Sequence, residues 1–514
     1  MQGSSDPNVE LLDAAAFVSH LVPDDSVYAF LAEHRRRLFP DDAFSDLFPS
    51  GRGRPSQPAD VIASVLVLQS LEGLSDRDAA QALATDLRWK VACGLSITDA
   101  GFHPTTLTQW RNRLRKSDRP ERIFDAVRDV IGSTNVLANK HRRALDSTLL
   151  DDAVATQDTV TQLVSMIRRV RKAIPQAAAA VVVGDDYEAG SGKPACAWND
   201  PVARDELVTR LVNDALAALA AVDDVELDDA QQQTVALLAL VAGQDVEPGD
   251  EEGTWVIERR VTKHRVISTV DPETRHMHKN RSSYRDGYKA HVAVEPDTGL
   301  ITDCDLTPAN EGDGPTGIAL LANEPKGLDV LADSAYGSGD SLSALADAEH
   351  RVLIKPWPLS RNPNLGDDQF NRDDFTIDYT ARTVTCPNGI TTHITASGAA
   401  TFKAKCRDCS VRSRCTSAVD GKTFFVSDND EHLAANRARW RTDTDLVDDY
   451  RQHRPMVERT IAWLVTHGHR RCRHRGIERN KIAFSTRAAV INLKRLINLG
   501  LEHDSNTWNL APTT

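Results

Sequence analysis

Three carboxylates far apart in the chain, Asp146, Asp333 and Glu458, occupy positions from which they could meet. Asp146 follows RRAL and Asp333 follows DVLA, and each run reads as a short β-strand ending in an acid. A carboxylate at a strand end is costly to bury unless it caps the next turn, and capping is the plainer role for either aspartate alone. Glu458 belongs to YRQHRPMVERTIAWL, where Tyr450, Arg454 and Glu458 recur at four-residue steps and so share one helix face. Met456, Val457, Ile461 and Leu464 already give that helix its core contacts. The Tyr, Arg and Glu face is therefore either a surface ion pair or one wall of a site. Pro455, inside the same segment, must kink the helix or mark a restart.

Carboxylates suit Mg²⁺ or Mn²⁺, hard ions that take oxygen ligands and keep several waters, so that two or three acids plus substrate phosphates complete a site. Two such ions about 4 Å apart activate a water or a 3′-hydroxyl and stabilise the leaving oxygen of an in-line displacement. In such a cleft Arg454 would pair with a phosphate or orient Glu458, and Tyr450 would stack on or hydrogen-bond a nucleic-acid backbone. A second chemistry is offered by Cys386 in CPNG and by Cys406, Cys409 and Cys415 in CRDCSVRSRC. A Cys-x-x-Cys pair with two further thiols fits a structural tetrahedral Zn²⁺, and the nearby Arg407, Arg412 and Arg414 would favour thiolates. The irregular spacing leaves free or redox thiols as the alternative.

The elements that must position these residues follow from the hydrophobic pattern. Residues 1–57 form a lead-in that ends at the exposed joint GRGRPSQP, and residues 58–135 read as a helical block. Within it, HPTTLTQWRNRLRK sets Leu107, Trp110 and Leu114 on one side of a helix and Arg111, Arg113, Arg115 and Lys116 around the other. That is either a small bundle with a charged surface or a DNA-contacting unit, with Arg111 and Arg113 as the contacts. A core of strands and helices occupies 136–155 and 255–358, interrupted at 156–254 by a helical acidic insertion. Its clearest feature is the hairpin GYKAHVAVEPDTGLITDCDL. A Cys-rich insertion follows at 359–428, then C-terminal helices at 429–503 and a tail at 504–514. With the insertion removed, the order is strand, strand, strand, helix, strand, helix, strand and the helix bearing Glu458. This describes an α/β fold with a mixed sheet.

The net charge of −13 looks wrong for a nucleic-acid partner until it is located along the chain. Residues 201–252 hold 13 Asp or Glu against 2 Arg, whereas residues 451–495 hold 12 Arg or Lys against Glu458 and Glu478. The basic stretch, with Arg459, Arg470, Arg471, Arg473 and Arg475, is interleaved with Trp463, His467, His469 and His474. It reads either as a solvated helix face or as a phosphate-backbone footprint. No apolar run reaches a membrane span and the N-terminus lacks signal-peptide sections, so a cytoplasmic location is expected.

In its ordered combination of SDRDAAQAL, TTLTQWRNRL, LDST, the stretch from STVDPETRH to DLTPAN, VLADSAYG, the Cys cluster and RPMVERTIAWL, the chain resembles the DDE transposases of bacterial insertion sequences. The resemblance spans about residues 50–500. It implies an RNase H-like catalytic fold, with Asp146, Asp333 and Glu458 as a Mg²⁺-binding triad. It also implies cut-and-paste chemistry on double-stranded DNA at terminal inverted repeats and a target, carried out by a homodimer in a DNA complex. Many relatives have two residues between the Tyr and the Arg and six between the Glu and a Lys. Here Tyr450 and Arg454 are separated by three residues and position 465 is Val, so Arg470, Arg471 or Arg473 would substitute for the Lys. A nuclease of the same fold without strand transfer would use the same acids. A non-catalytic DNA-binding derivative would tolerate loss of one, yet all three are present.

Overall fold

The computed structural model describes residues 1–5, 12–181, 187, 193–258, 262, 264–280, 283–504 and 507–511. Helices α1 (Val27–Leu38), α2 (Ala59–Glu72), α3 (Asp76–Thr85), α4 (Leu87–Cys93), α5 (Thr105–Arg115) and α6 (Arg122–Ser133) form the N-terminal block. α2 is apolar on nearly every side and is buried from Ala59 to Leu68, so it is the block's central helix. It stops at Gly73, whose φ of 71° is the left-handed conformation that glycine adopts without strain. Ser75 then caps α3 by accepting the Asp78 N–H at 3.2 Å. The lead-in joins this block: Val27, Phe30, Leu31 and Phe44 belong to the same core as α2.

Next come β1 (Arg142–Asp151) and the inserted helices α7 (Thr159–Ala173), α8 (Pro201–Ala220) and α9 (Asp229–Gln244). Asp158, Asp200 and Asp228 cap these three helices, so part of the segment's acidity serves its own helix starts. The insertion packs on a core of its own, including Leu163, Ile167, Leu211 and Val241.

The sheet is completed by β2 (Arg275–Asn280), β3 (Ser283–Val294), β4 (Ile301–Pro308), β5 (Asp329–Ala332) and β6 (Arg351–Ile354). β3 is its spine. One edge of β3 pairs antiparallel with β1, and the other is shared end to end by β2 and β4, both antiparallel to it. Beyond β1 the sheet continues in parallel through β5 to β6. Tyr288, Ala290 and Val292 face the large core shared with the N-terminal block. Leu145, Ala293 and Val330 face the other way, against Tyr336 and Leu342 near α10 (Asp313–Ala319) and α11 (Gly339–Asp347).

The Cys-rich segment forms a three-stranded and a two-stranded sheet around Phe375, Phe402, Phe424 and Cys415. The chain then runs through α12 (Asp430–Thr442), α13 (Thr444–His453), α14 (Pro455–Leu464) and α15 (Ile477–Asn498) to a terminal hairpin. Among the described residues no helix is long and apolar enough to cross a membrane.

Two expectations about local structure change. Asp146 does not end its strand, because pairing with the 12-residue β3 carries β1 on to Asp151 opposite Gly287. The Glu458 segment is two helices, with Arg454 at the junction and Pro455 in the first turn of α14. Proline there forfeits an N–H that has no intrahelical partner anyway. Glu458 thus lies on the last helix but one, since α15 follows it.

Candidate active site

Parallel pairing between β1 and β5 ends at Ala144 opposite Leu331. Two residues further along each strand stand Asp146 and Asp333, which this register makes neighbours. Asp333 lies just past β5, where its carboxylate accepts the Ala335 N–H at 2.9 Å and opens the turn Ser334–Tyr336. It therefore does cap, as a lone strand-end acid would. Asp146 has no such turn to serve, and its side chain is only 15% exposed.

What faces Asp146 is the Arg454 guanidinium. Its Nη2 lies 3.2 Å from Oδ1 and its Nη1 donates to Oδ2 at 3.2 Å, a two-pronged pairing. The same Nη1 lies 3.9 Å from Glu458 Oε1, whose side chain is 65% exposed. Burial pushes the Asp146 carboxyl above its usual range; Arg454 opposes that shift and the charge of Asp333 adds to it. Arg454 is itself buried, which lowers its pKa, but Asp146, with Tyr450 and Asp333 adding, raises it on balance. Its Nε has no hydrogen-bond partner among the described residues. Tyr450 packs edge-on against Trp440 at 5.0 Å between ring centroids. Burial raises its hydroxyl pKa, against the pull of Arg454 and with Asp333 and Glu458 adding. Asp146, Asp333, Tyr450, Arg454 and Glu458 are thus gathered in one place.

Carboxylate oxygens are the donor chemistry that Mg²⁺ or Mn²⁺ requires, and Arg454 stands between two of them in the position of a counter-charge. As the side chains stand, no group of three or more His, Cys, Asp or Glu among the described residues is close enough to hold a metal ion. The four cysteines Cys386, Cys406, Cys409 and Cys415 line one small cavity of about 10 Å³. Burial raises the Cys415 thiol; Lys422 opposes this, and the other three cysteines add to it. Four sulfurs about one cavity fit the donor preference of Zn²⁺.

The cationic residues singled out for DNA divide into two groups. Arg470 donates to Thr148 Oγ1 at 2.8 Å and to the Leu149 carbonyl at 3.0 Å, and Arg471 Nε donates to the Asp152 carbonyl at 3.2 Å. Arg473 donates to the Gly73 and Leu74 carbonyls at the end of α2. Arg113 donates to the Leu47 carbonyl and lies over the Phe48 ring. Arg111, expected on an exposed face, is buried and paired with Asp76. The burial follows from packing of α3 against α5, which places Asp76 over the Arg111 position. Arg459 and Arg475 are exposed and without a partner among the described residues. Arg111, Arg471 and Arg473, from opposite ends of the chain, line one cleft of about 920 Å³ between the helical block and the sheet.

Sequence reasoning missed a polar group on the opposite face of the sheet, formed by Ser147, Lys289, His291 and Asp313. Its signal was Lys289 and His291 at alternate positions of an otherwise apolar strand.

A mixed sheet that gathers acids and an arginine in this way carries a transposase domain: residues 259–493 match the family model described as Transposase DDE domain, and residues 17–113 match one described as Transposase domain (DUF772). The chain belongs to the DDE transposases, enzymes that cleave and join DNA, of the kind typical of bacterial insertion sequences. The first match contains Asp333 and Glu458, while Asp146 lies between the two matched ranges. No curated protein and no solved structure matches the chain.

Proposed function

We propose that this transposase cuts and joins double-stranded DNA at the terminal inverted repeats of an insertion sequence, with Asp146, Asp333 and Glu458 as its catalytic acids. The observation that carries the reading is the register that sets Asp146 beside Asp333, with Arg454 linking Asp146 to Glu458. The strand order, with β1, β3 and β4 antiparallel in sequence and β5 and β6 parallel to β1, supports an RNase H-like core. Mg²⁺ or Mn²⁺ bound by the three carboxylates would supply charge for activating the nucleophile and stabilising the leaving oxygen.

The chain's own residues do the rest. Arg454, paired with Asp146 and close to Glu458, keeps these two acids from repelling one another. Tyr450, on the same side, is placed to meet the sugar-phosphate backbone beside the reacting bond. Exposed Arg459 and Arg475 contribute phosphate contacts. The cysteine cluster would hold a structural Zn²⁺, two copies of the chain assemble on DNA, and the enzyme works in the cytoplasm on the nucleoid.

The test is a plasmid carrying the element's ends, incubated with the enzyme, Mg²⁺ and a target plasmid. End cleavage and joined products are expected; cleavage without joining would reduce the enzyme to a nuclease on this substrate.

A further inference from the structure

We propose that Asp313 is a positioning residue for the reaction: held by Lys289, it fixes Ser147 and, through it, the Asp146 carboxylate on the other face of the sheet. The proposal rests on the reading of Asp146 as a metal-binding acid.

Successive residues of a strand point to opposite faces, so Asp146 looks toward Arg454 while Ser147 looks toward α10. Ser147 Oγ donates to Asp313 Oδ1 at 2.8 Å. Lys289 Nζ lies 3.2 Å from the same oxygen and donates to the Glu311 carbonyl at 2.6 Å. His291, opposite Ser147 in the register, brings Nδ1 to 3.8 Å from it as well. Lys289 is 4% exposed and His291 is wholly buried. An apolar pair would pack such a site at no loss of stability, so burying a cation and an anion here makes sense as a device for position.

The helix that carries Asp313 is packed closely against its neighbours. A Cβ on Gly317 would stand 2.6 Å from the Tyr336 ring, and one on Gly314 would stand 2.3 Å from Ser341 Oγ. Only glycines let α10 lie this close to its neighbours. With Ser147 anchored, its backbone N–H is aimed at Asp146 Oδ1, to which it donates at 2.8 Å. One chain of contacts then crosses the sheet from Lys289 through Asp313, Ser147 and Asp146 to Arg454 and Glu458.

A residue behind a metal ligand typically sets affinity by about tenfold or more, without touching the ion. Asp313→Asn alone would strand the Lys289 cation, so the informative variants are Ser147→Ala and the double Asp313→Asn/Lys289→Met, which removes both charges together. The readout is Mn²⁺ binding to the full-length, DNA-free protein, followed by the electron paramagnetic resonance of free Mn²⁺, with thermal melting to confirm folding. Both variants should bind Mn²⁺ about tenfold more weakly. Ser147→Thr, which keeps the hydroxyl, should stay within about threefold of the parent. Asp146→Asn is the reference. If it weakens Mn²⁺ binding and Ser147→Ala does not, the positioning role is overturned and the metal reading stands. If Asp146→Asn itself binds Mn²⁺ like the parent, both fall.

Discussion

Asp146 and Asp333 lie side by side because each stands two residues beyond the last parallel pair, Ala144 with Leu331. β1 could not end there, since its antiparallel partner β3 holds it as far as Asp151. β5 does end, which frees Asp333 to turn toward its neighbour. The two acids therefore differ in setting. Asp146 is partly buried mid-strand beneath Arg454, and Asp333 is at a turn with an Ala335 N–H on its carboxylate.

Asp333→Asn should abolish metal-dependent cleavage of repeat-end DNA while DNA binding survives, because the amide keeps the shape and loses the charge. Cleavage above about a tenth of the parent rate would remove Asp333 from the catalytic acids, given the size of effect expected when a metal ligand is lost.

Arg454 and Glu458, both assigned to the proposed site, should separate in a melting experiment. Arg454→Ala leaves Asp146 buried without its partner and should cost about 3 kcal/mol of stability. Glu458→Ala, at an exposed position, should stay within about 0.5 kcal/mol of the parent. Equal melting of the two variants would contradict the burial of the Arg454 pair.

The cysteine cluster should bring about one equivalent of zinc per chain through purification under reducing conditions. Replacing Cys406 and Cys409 by Ser should release it and lower the melting temperature. Metal-free protein of unchanged stability would leave four unligated thiols.

Arg473 and Arg475 are separated by one residue, and different roles are expected for them. Arg473 caps the α2 carbonyls, so Arg473→Ala should lower stability by about 1 kcal/mol and leave the salt dependence of DNA binding alone. Arg475→Ala should leave stability unchanged and make the slope of log K against log salt shallower by up to about 0.9. The reverse pattern would move the DNA path onto Arg473.

Acid should loosen the seam between the helical block and the sheet. His469 Nε2 lies 2.8 Å from the Ser70 carbonyl, and His474 feels the charges of Arg111 and Asp76. Burial, reinforced by nearby arginines, lowers both to about 4. In the unfolded chain each binds its proton near pH 6.5, so the unfolded state takes up more protons between those values and stability falls as pH drops from about 6.5 toward 4. On the order of 1 kcal/mol per histidine should be lost by pH 5, allowing for partial exposure. His469→Gln should flatten that part of a pH-melting curve; an unchanged slope would place the acid sensitivity elsewhere.

Much of the site could be read from residue order. The short strand runs leading into Asp146 and Asp333, the four-residue spacing of Tyr450, Arg454 and Glu458, and the CRDC pair are local patterns, and local backbone geometry carries them into the structure, although β1 continues past Asp146. The same holds for the Ser75 cap, the hairpin around PDTG and the separation of the acidic insertion, whose apolar positions close on themselves. Sequence alone did not tell which arginines were spent inside the protein. Arg111, Arg470, Arg471 and Arg473 look alike as letters, yet each meets an acid or a carbonyl supplied by a distant segment. The Ser147 and Asp313 contact was hidden for the same reason, joining residues 166 positions apart. A charge pattern records what a side chain can do. Which partner satisfies it is set by the long-range pairing of β1, β3 and β5 and by the helices packed across them.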